Sequence, residues 1–265
     1  MKICILASGS SGNCIYLSSQ RERVLIDAGL SARETARRLE QIGVAVSTVS
    51  AICLTHEHSD HIAGLATLYQ RYGIRLFANS GTIEAISRDE KMRKLKWNVF
   101  STGAEFKIGD LTFDPFPVSH DAYEPVGFVV KCADTRLGIV TDIGASTHLV
   151  REHLRHCQAL VIEANHDKYL LSEARRPWVL KQRISGRQGH LSNAHAAQMI
   201  AEIASPALAH VFLCHLSLDC NRPELALKEV NKALNKAGRK DVQVKLTFAG
   251  KISEIWTDEQ AQKEI

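Results

Sequence analysis

Three histidines and one aspartate, His56, His58, Asp60 and His61, fall within the run Thr-His-Glu-His-Ser-Asp-His at positions 55–61. Imidazole and carboxylate at such short spacing suit a borderline divalent cation such as zinc. His56 and His58 are two apart, so on an extended segment both side chains point the same way and can share one ion. Asp60 and His61 come where the chain turns and can reach a second ion. The run has no cysteine and leaves coordination positions open, which fits a metal that does chemistry better than one that props up a fold.

The elements around this run must place it. The apolar stretch Ala51–Leu54 precedes it and a helical pattern from His61 to Tyr72 follows, so the order is strand, metal loop, helix. Further along, His120, Asp142 and Glu163 each stand just beyond an apolar, strand-like run. Functional side chains gather where loops leave the strand ends of a rigid sheet, so these three and the metal loop form a constellation.

In chain order, residues 2–7 and 14–17 read as strands joined by Ser-Gly-Ser-Ser-Gly-Asn at 8–13. That turn is either a plain hairpin or a phosphate loop; the spacing and lysine of a P-loop are missing. Asn13 can face the metal loop. Residues 23–26 are a strand ending at Asp27. A capping box at Ser31 and Glu34 opens a helix that Gly43 closes. Residues 74–78 read as a strand and 80–87 as a helix. The charged stretch 88–96 reads as a solvated helix face or as a nucleic-acid rim. Hairpins follow at 105–117 and at 127–132 with 137–140, then a helix at 147–156 and a strand at 159–162. Ser192 or Asn193 caps a helix to about 204. Residues 208–214 form a strand ending at His215, Pro223 opens a helix to about 237, and 242–248 is a strand. The strands come in two groups with interspersed helices, which predicts one α/β domain over 1–265, two sheets sandwiched between helices.

The chain has 265 residues, 45% hydrophobic and 23% charged, with a formal charge of +4. These are ordinary globular values. The mild basic bias permits a nucleic-acid partner without requiring one. Seven cysteines, an odd number with no C-x-x-C pair, imply reduced thiols and a cytoplasmic protein. No export signal is evident, and no segment approaches the ~20 apolar residues of a membrane span. From Ala174 to Ala201 there is no acidic residue, while Arg175, Arg176, Lys181, Arg183 and Arg187 surround Trp178. Such a stretch would grip phosphates without reading sequence, and Trp178 is either a stacking face for an unpaired base or an apolar anchor.

The whole pattern resembles the metallo-β-lactamase superfamily. Its signature, H-x-H-x-D-H followed by an isolated histidine, an aspartate and a last histidine, is matched by His56, His58, Asp60, His61, His120, Asp142 and His215. The resemblance implies an αββα four-layer sandwich, two mixed β-sheets flanked by helices. It implies two divalent ions, zinc or manganese, with iron also admissible. One would be bound by His56, His58 and His120, the other by Asp60, His61 and His215, with Asp142 bridging. Asp27 takes a supporting role behind the metal loop. Within the superfamily, Leu160–Ala164, Gly189-His190-Leu-Ser and Cys214-His215-Leu-Ser are similar to the nuclease and phosphodiesterase branch, whose tRNA 3′-processing endonucleases carry such a histidine and glutamate pair. The 6–13 turn, Lys181-Gln-Arg-Ile-Ser and Gly189-His-Leu-Ser-Asn193 are closer to the bacterial YycJ-type (WalJ) group of DNA exonucleases. The long substrate-gripping arm of the tRNA enzymes has no obvious counterpart in this sequence.

The resulting expectation is a dinuclear-metal phosphodiesterase that hydrolyses nucleic acid, DNA rather than RNA, by stepwise removal from an end. A metal-bridging hydroxide, oriented by Asp60, attacks phosphorus. His190 protonates the leaving oxygen and Glu163 fixes its tautomer. Asn13, Arg183, Arg187, Ser192 and Asn193 are expected to touch substrate. The alternatives are a small-molecule phosphodiesterase, a thioester hydrolase of glyoxalase II type, and a metal-holding regulator without turnover. Oligomeric state is left open, a dimer included.

Overall fold

The computed structural model describes residues 1–258. Residues 259–265, the end of the expected 1–265 domain, lie outside the described residues. The first six strands are β1 (Lys2–Ala7), β2 (Cys14–Ser18), β3 (Arg23–Ile26), β4 (Ala51–Cys53), β5 (Arg75–Ala78) and β6 (Trp97–Val99). The next seven are β7 (Phe106–Ile108), β8 (Leu111–Pro117), β9 (Val126–Cys132), β10 (Thr135–Val140), β11 (Ala159–Glu163), β12 (His210–Cys214) and β13 (Gln243–Leu246). A last short strand, β14 (Trp256–Thr257), returns to pair with β1. Two seven-stranded sheets result, in the orders β14-β1-β2-β3-β4-β5-β6 and β13-β12-β11-β10-β9-β8-β7.

Both sheets are mixed. In the first, β1, β2 and β3 pair antiparallel and β3 to β6 pair parallel. In the second, β7 to β10 pair antiparallel and β10 to β13 pair parallel. Alternate residues of both sheets meet in a central core that includes Ile3, Leu17, Val24, Phe113, Phe128, Val161 and Phe212. The outer faces are covered by helices. Over the first sheet lie α1 (Ala32–Gln41), α3 (Leu65–Tyr72) and α4 (Ser80–Ile86), burying Leu39, Leu68 and Ile86. Over the second lie α5 (His148–Leu154), α8 (Asn193–Ile203) and α9 (Pro223–Lys236), burying Leu154, Ile200 and Val230. This is the four-layer αββα sandwich that the family resemblance implies, and the strand grouping agrees with it. Strands buried on both faces read as continuous apolar runs, which is why β11 and β12 are conspicuous in the sequence.

Three local expectations need correction. The helical pattern at 61–72 is two helices, α2 (Ser59–Ile62) and α3, broken at Gly64. There the chain runs against the 28–30 turn: Gly64 N–H donates to Ala28 O at 2.8 Å, and a Cβ on Gly64 would stand 2.0 Å from Leu30 O. The charged stretch 88–96 forms turns rather than a helix. The capping box is half made, with Ser31 Oγ accepting from Glu34 N–H while the Glu34 carboxylate turns to Arg37 and Arg38.

Candidate metal centre

The centre lies at the carboxyl ends of β3, β4, β10, β11 and β12, where open α/β sheets bind ligands. After β4 the chain bends at Thr55, is extended at His58, and then turns into α2, which carries Asp60 and His61. His56, His58 and His120 bring one ring nitrogen each within 4.8 Å of one another, and His120 Nε2 is 3.3 Å from His58 Nδ1. Beside them His61 Nε2 lies 3.2 Å from Asp142 Oδ2 and 3.5 Å from Asp60 Oδ2. His215 Nε2 lies 3.7 Å from the same Asp60 oxygen. The seven residues of the signature thus converge on one place, with Asp142 between its two parts.

Two buried atoms in this cluster, His56 Nε2 and His215 Nε2, have no hydrogen-bond partner among the described residues, and Asp142 Oδ2 has only the approach of His61 Nε2. Buried polar atoms are ordinarily satisfied, so orphans that face one another mark a missing ligand. Charge points the same way. Asp27, Asp142 and Glu163 are all buried, and Asp60 is nearly so. Burial alone would raise Asp142, but His215 and His61 hold it well below the usual carboxylate range. Burial alone would lower His61, but Asp27 and Asp142 draw it up to about 10. Burial pushes His56 and His120 down, leaving neutral imidazoles. Neutral imidazoles beside crowded carboxylates form a site for positive charge, and the donor set fits divalent cations.

Partners behind the cluster hold it in register. Asp27, at φ 62° after β3, accepts from Thr55 N–H at 2.8 Å and from His61 Nδ1 at 2.8 Å, which leaves His61 Nε2 facing inward. Asn13 donates to Asp60 Oδ2 at 3.0 Å and accepts from Gly9 N–H. Gly29 fits between them: a Cβ there would stand 1.6 Å from Asp60 O. Glu163 is fully buried and serves four donors. His190 Nδ1 at 2.7 Å and His215 Nδ1 at 2.8 Å share Oε1, while the N–H groups of Ile143 and Leu191 meet Oε2 at 3.1 Å. Burial would raise this carboxyl, yet His190 and His215 bring it down; His190 is raised by Glu163 against its own burial.

The cluster opens into a cavity of about 330 Å³ whose wall includes His190 and, from the acid-free stretch, Arg176, Leu180, Arg183 and Ile184. The stretch follows α6 (Lys168–Glu173) and forms α7 (Trp178–Ser185), which stands at the cavity's rim. Trp178 is 70% exposed, so it is not an apolar anchor. Arg183 donates to Asp121 Oδ2 at 2.5 Å across the mouth.

Other expected substrate contacts lie elsewhere. Arg187 lines a different cavity, beside Ser146, Arg151 and His195. Ser192 is the buried cap of α8 and accepts from His195 N–H, and Asn193 is closed in an amide pair with Asn221. Asn13 is buried against Asp60 rather than open to the cavity. Among the other histidines, His153 stacks on Phe116 with ring centroids 4.8 Å apart, and His166 is buried. Sequence reasoning gave no role to Thr55 and none of its own to Arg176. The signal for Thr55 was its place at the head of the metal run; Arg176 had none beyond its sign.

A model of the β-lactamase superfamily domain matches residues 22–215. The exodeoxyribonuclease YycJ of Bacillus anthracis is 36% identical over 241 residues, 88% of this chain and 89% of that protein. The exodeoxyribonuclease WalJ of Streptococcus pneumoniae serotype 2 is 36% identical over 228 residues, 85% of each. Among solved structures, the metallo-β-lactamase fold protein YhfI of Bacillus subtilis superposes with a TM-score of 0.72 at 14% identity, over 96% of this chain and 98% of that one, a likeness of fold.

Proposed function

Because the chain belongs to the metallo-β-lactamase superfamily and is a metal-dependent hydrolase, we propose that it is a phosphodiesterase acting on nucleic acid, a DNA exonuclease that works with two divalent ions. The carrying observation is the Glu163–His190 pair beside the ligand cluster, at a cavity walled by Arg176 and Arg183. Guanidinium groups at that wall suit the non-bridging oxygens of a phosphodiester, which they meet in charge-assisted hydrogen bonds. The similarity to the exodeoxyribonucleases YycJ and WalJ favours DNA, and the whole chain is taken as one such domain. Seven unpaired cysteines support the cytoplasm as its compartment.

His56, His58 and His120 would hold one ion and Asp60, His61 and His215 the other, with Asp142 shared. Zinc, manganese or iron suits these donors. When bound, the ions would supply an activated water and neutralise charge on the phosphate. The chain's own groups do the rest. Asn13 pins one Asp60 oxygen, so Asp60 keeps a fixed direction at the cavity floor. Glu163 accepts the Nδ1–H of His190 and favours the doubly protonated imidazolium, whose Nε2–H is the proton that passes to the departing alkoxide. Arg176 and Arg183 bind phosphate oxygens and exclude the strand from wrong registers.

The test is cleavage of end-labelled single-stranded DNA, duplex DNA, matched RNA and bis-p-nitrophenyl phosphate by metal-loaded protein, with Asp60→Asn as control. Stepwise shortening of DNA, absent from the control, is expected. The His190→Ala variant should lose about 10²–10⁴ in DNA cleavage rate at unchanged metal content. Full turnover in that variant would remove His190 as the acid, and no DNA cleavage by wild type would overturn the nuclease reading.

A further inference from the structure

Next to the metal cavity lies a second, larger one of about 750 Å³. The two share Ser10, Arg176 and Ser217 in their walls, so they are neighbours across a seam rather than separate sites. A volume of this order falls within the range of about 300–1,000 Å³ typical of small-ligand sites. It is too small for a passing duplex and adequate for one or two nucleotides.

The walls are of two kinds. Leu216, Leu218, Pro223 and Phe248 give apolar surface of the sort that packs against a base. Leu218 is 85% exposed, so its side chain is free to meet a ring. The remaining wall is polar and cationic: the exposed Ser10 and Ser11 of the 8–13 turn, and Arg176 and Arg222. Outside the wall, the Lys251 ammonium stands 4.5 Å from the Phe248 ring centroid. Asp219 is the acidic group in the wall; its carboxylate ties Arg176 at 2.5 Å and so holds that guanidinium over the seam. Apolar surface for a ring, hydroxyls for a sugar and a surplus of positive charge describe a nucleotide.

We propose that this cavity is the subsite for the terminal nucleotide of the strand, the one about to be released. The inference rests on the nuclease reading above. The scissile phosphate would lie at the metal cavity, with Arg176 at the seam in reach of it, and the end of the strand would lie in the larger cavity. A pocket of one or two nucleotides' size seats a strand end there, and makes the products mononucleotides or dinucleotides.

Gly250 allows a clean test. It is exposed in the cavity wall, and nothing lies within 4 Å of where its Cβ would be, so Gly250→Trp sets a bulky ring at the cavity's edge without pressing on the fold. A second variant, Leu218→Glu, places an anionic group there instead. Two readouts are taken on metal-loaded protein whose melting temperature matches wild type. Calorimetric titration with deoxyadenosine monophosphate should show at least tenfold weaker binding to each variant than to wild type, while inorganic phosphate, which needs only the metal cavity, binds all three alike. In cleavage of end-labelled single-stranded DNA, each variant should lose at least tenfold more than in hydrolysis of bis-p-nitrophenyl phosphate. Equal nucleotide affinity in wild type and both variants overturns the subsite, as does unimpaired DNA shortening by both. If wild type cuts no DNA yet its nucleotide binding depends on Gly250 and Leu218, the nuclease reading falls and the nucleotide site stands.

Discussion

The two halves of the sandwich share one wiring and use it differently. In each, three antiparallel pairings lead into three parallel ones, and the site lies beyond the strands where the direction changes. The first half brings its candidate ligands from one stretch after β4, residues 56–58 and α2, with Asp27 after β3 as their brace. The second half spreads its contribution over strand ends that are far apart in the chain, Asp142 after β10, Glu163 at the end of β11 and His215 after β12. His120 comes from the loop between β8 and β9. A cluster built from one loop depends on that loop's backbone. A cluster built from several strands depends on sheet register and on the carboxylate that ties the strands together. Glu163 does this because β11 and β12 pair in parallel with Glu163 opposite Cys214, which puts His215 beside it.

The largest expected effect breaks the first half at its backbone. Gly29→Ala drives a methyl into the Asp60 carbonyl oxygen, because a Cβ at Gly29 would stand only 1.6 Å from it. The strain should cost about 3 kcal/mol or more, a Tm lower by roughly 6–12 °C, with Asp60 displaced from the centre. Calorimetric melting with and without zinc checks it; an unchanged Tm and unchanged metal binding would show that the loop yields cheaply.

Next come the two braces, compared with each other. Glu163→Gln leaves two of four donors facing an amide NH2 and removes the negative charge that anchors the Nδ1 atoms of His190 and His215, so both rings are held more weakly. Loss of such a partner behind a ligand lowers metal affinity about 10–100-fold, and here activity should fall further because the proton donor goes too. Asp27→Asn affects His61 and Thr55 and should lower affinity by the same order with a smaller fall in turnover at saturating metal. Titration with zinc followed by rates at saturation separates the two. If Asp27→Asn costs as much turnover as Glu163→Gln, the second half holds no distinct proton donor.

The smallest effect concerns α7 and the residues before it. Arg176→Ala with Arg183→Ala should weaken single-strand binding and flatten the slope of log affinity against log salt by about 0.7 for each phosphate no longer held. An unchanged slope would place the strand on another face.

The same contrast explains what could be read from the sequence. The first half's site was legible because its ligands are neighbours in the chain and their spacing carries the geometry. The second half's residues were visible as polar ends of apolar strands, but their assignment needed the family resemblance, since only the pairing of β11 with β12 makes Glu163 serve His190 and His215 at once. Ser192 and Asn193 look like any polar pair ahead of a helix; burial and the Asn193–Asn221 amide pair turn them inward. The short edge strands β6 and β14 carry too few residues for an alternation to show, and β14 exists through its pairing with β1, which joins the two ends of the chain. The break at Gly64 depends on a close approach to Leu30 that no helical periodicity encodes.

The most direct test of a centre built by both halves is its metal content. Purified protein, exchanged into zinc and freed of loose ions, is measured by inductively coupled plasma mass spectrometry beside Asp60→Ala from the first half and His215→Ala from the second. Two ions per wild-type chain are expected, with each variant retaining about one. A wild type that holds a single ion, or a His215→Ala protein that still holds two, would contradict the account.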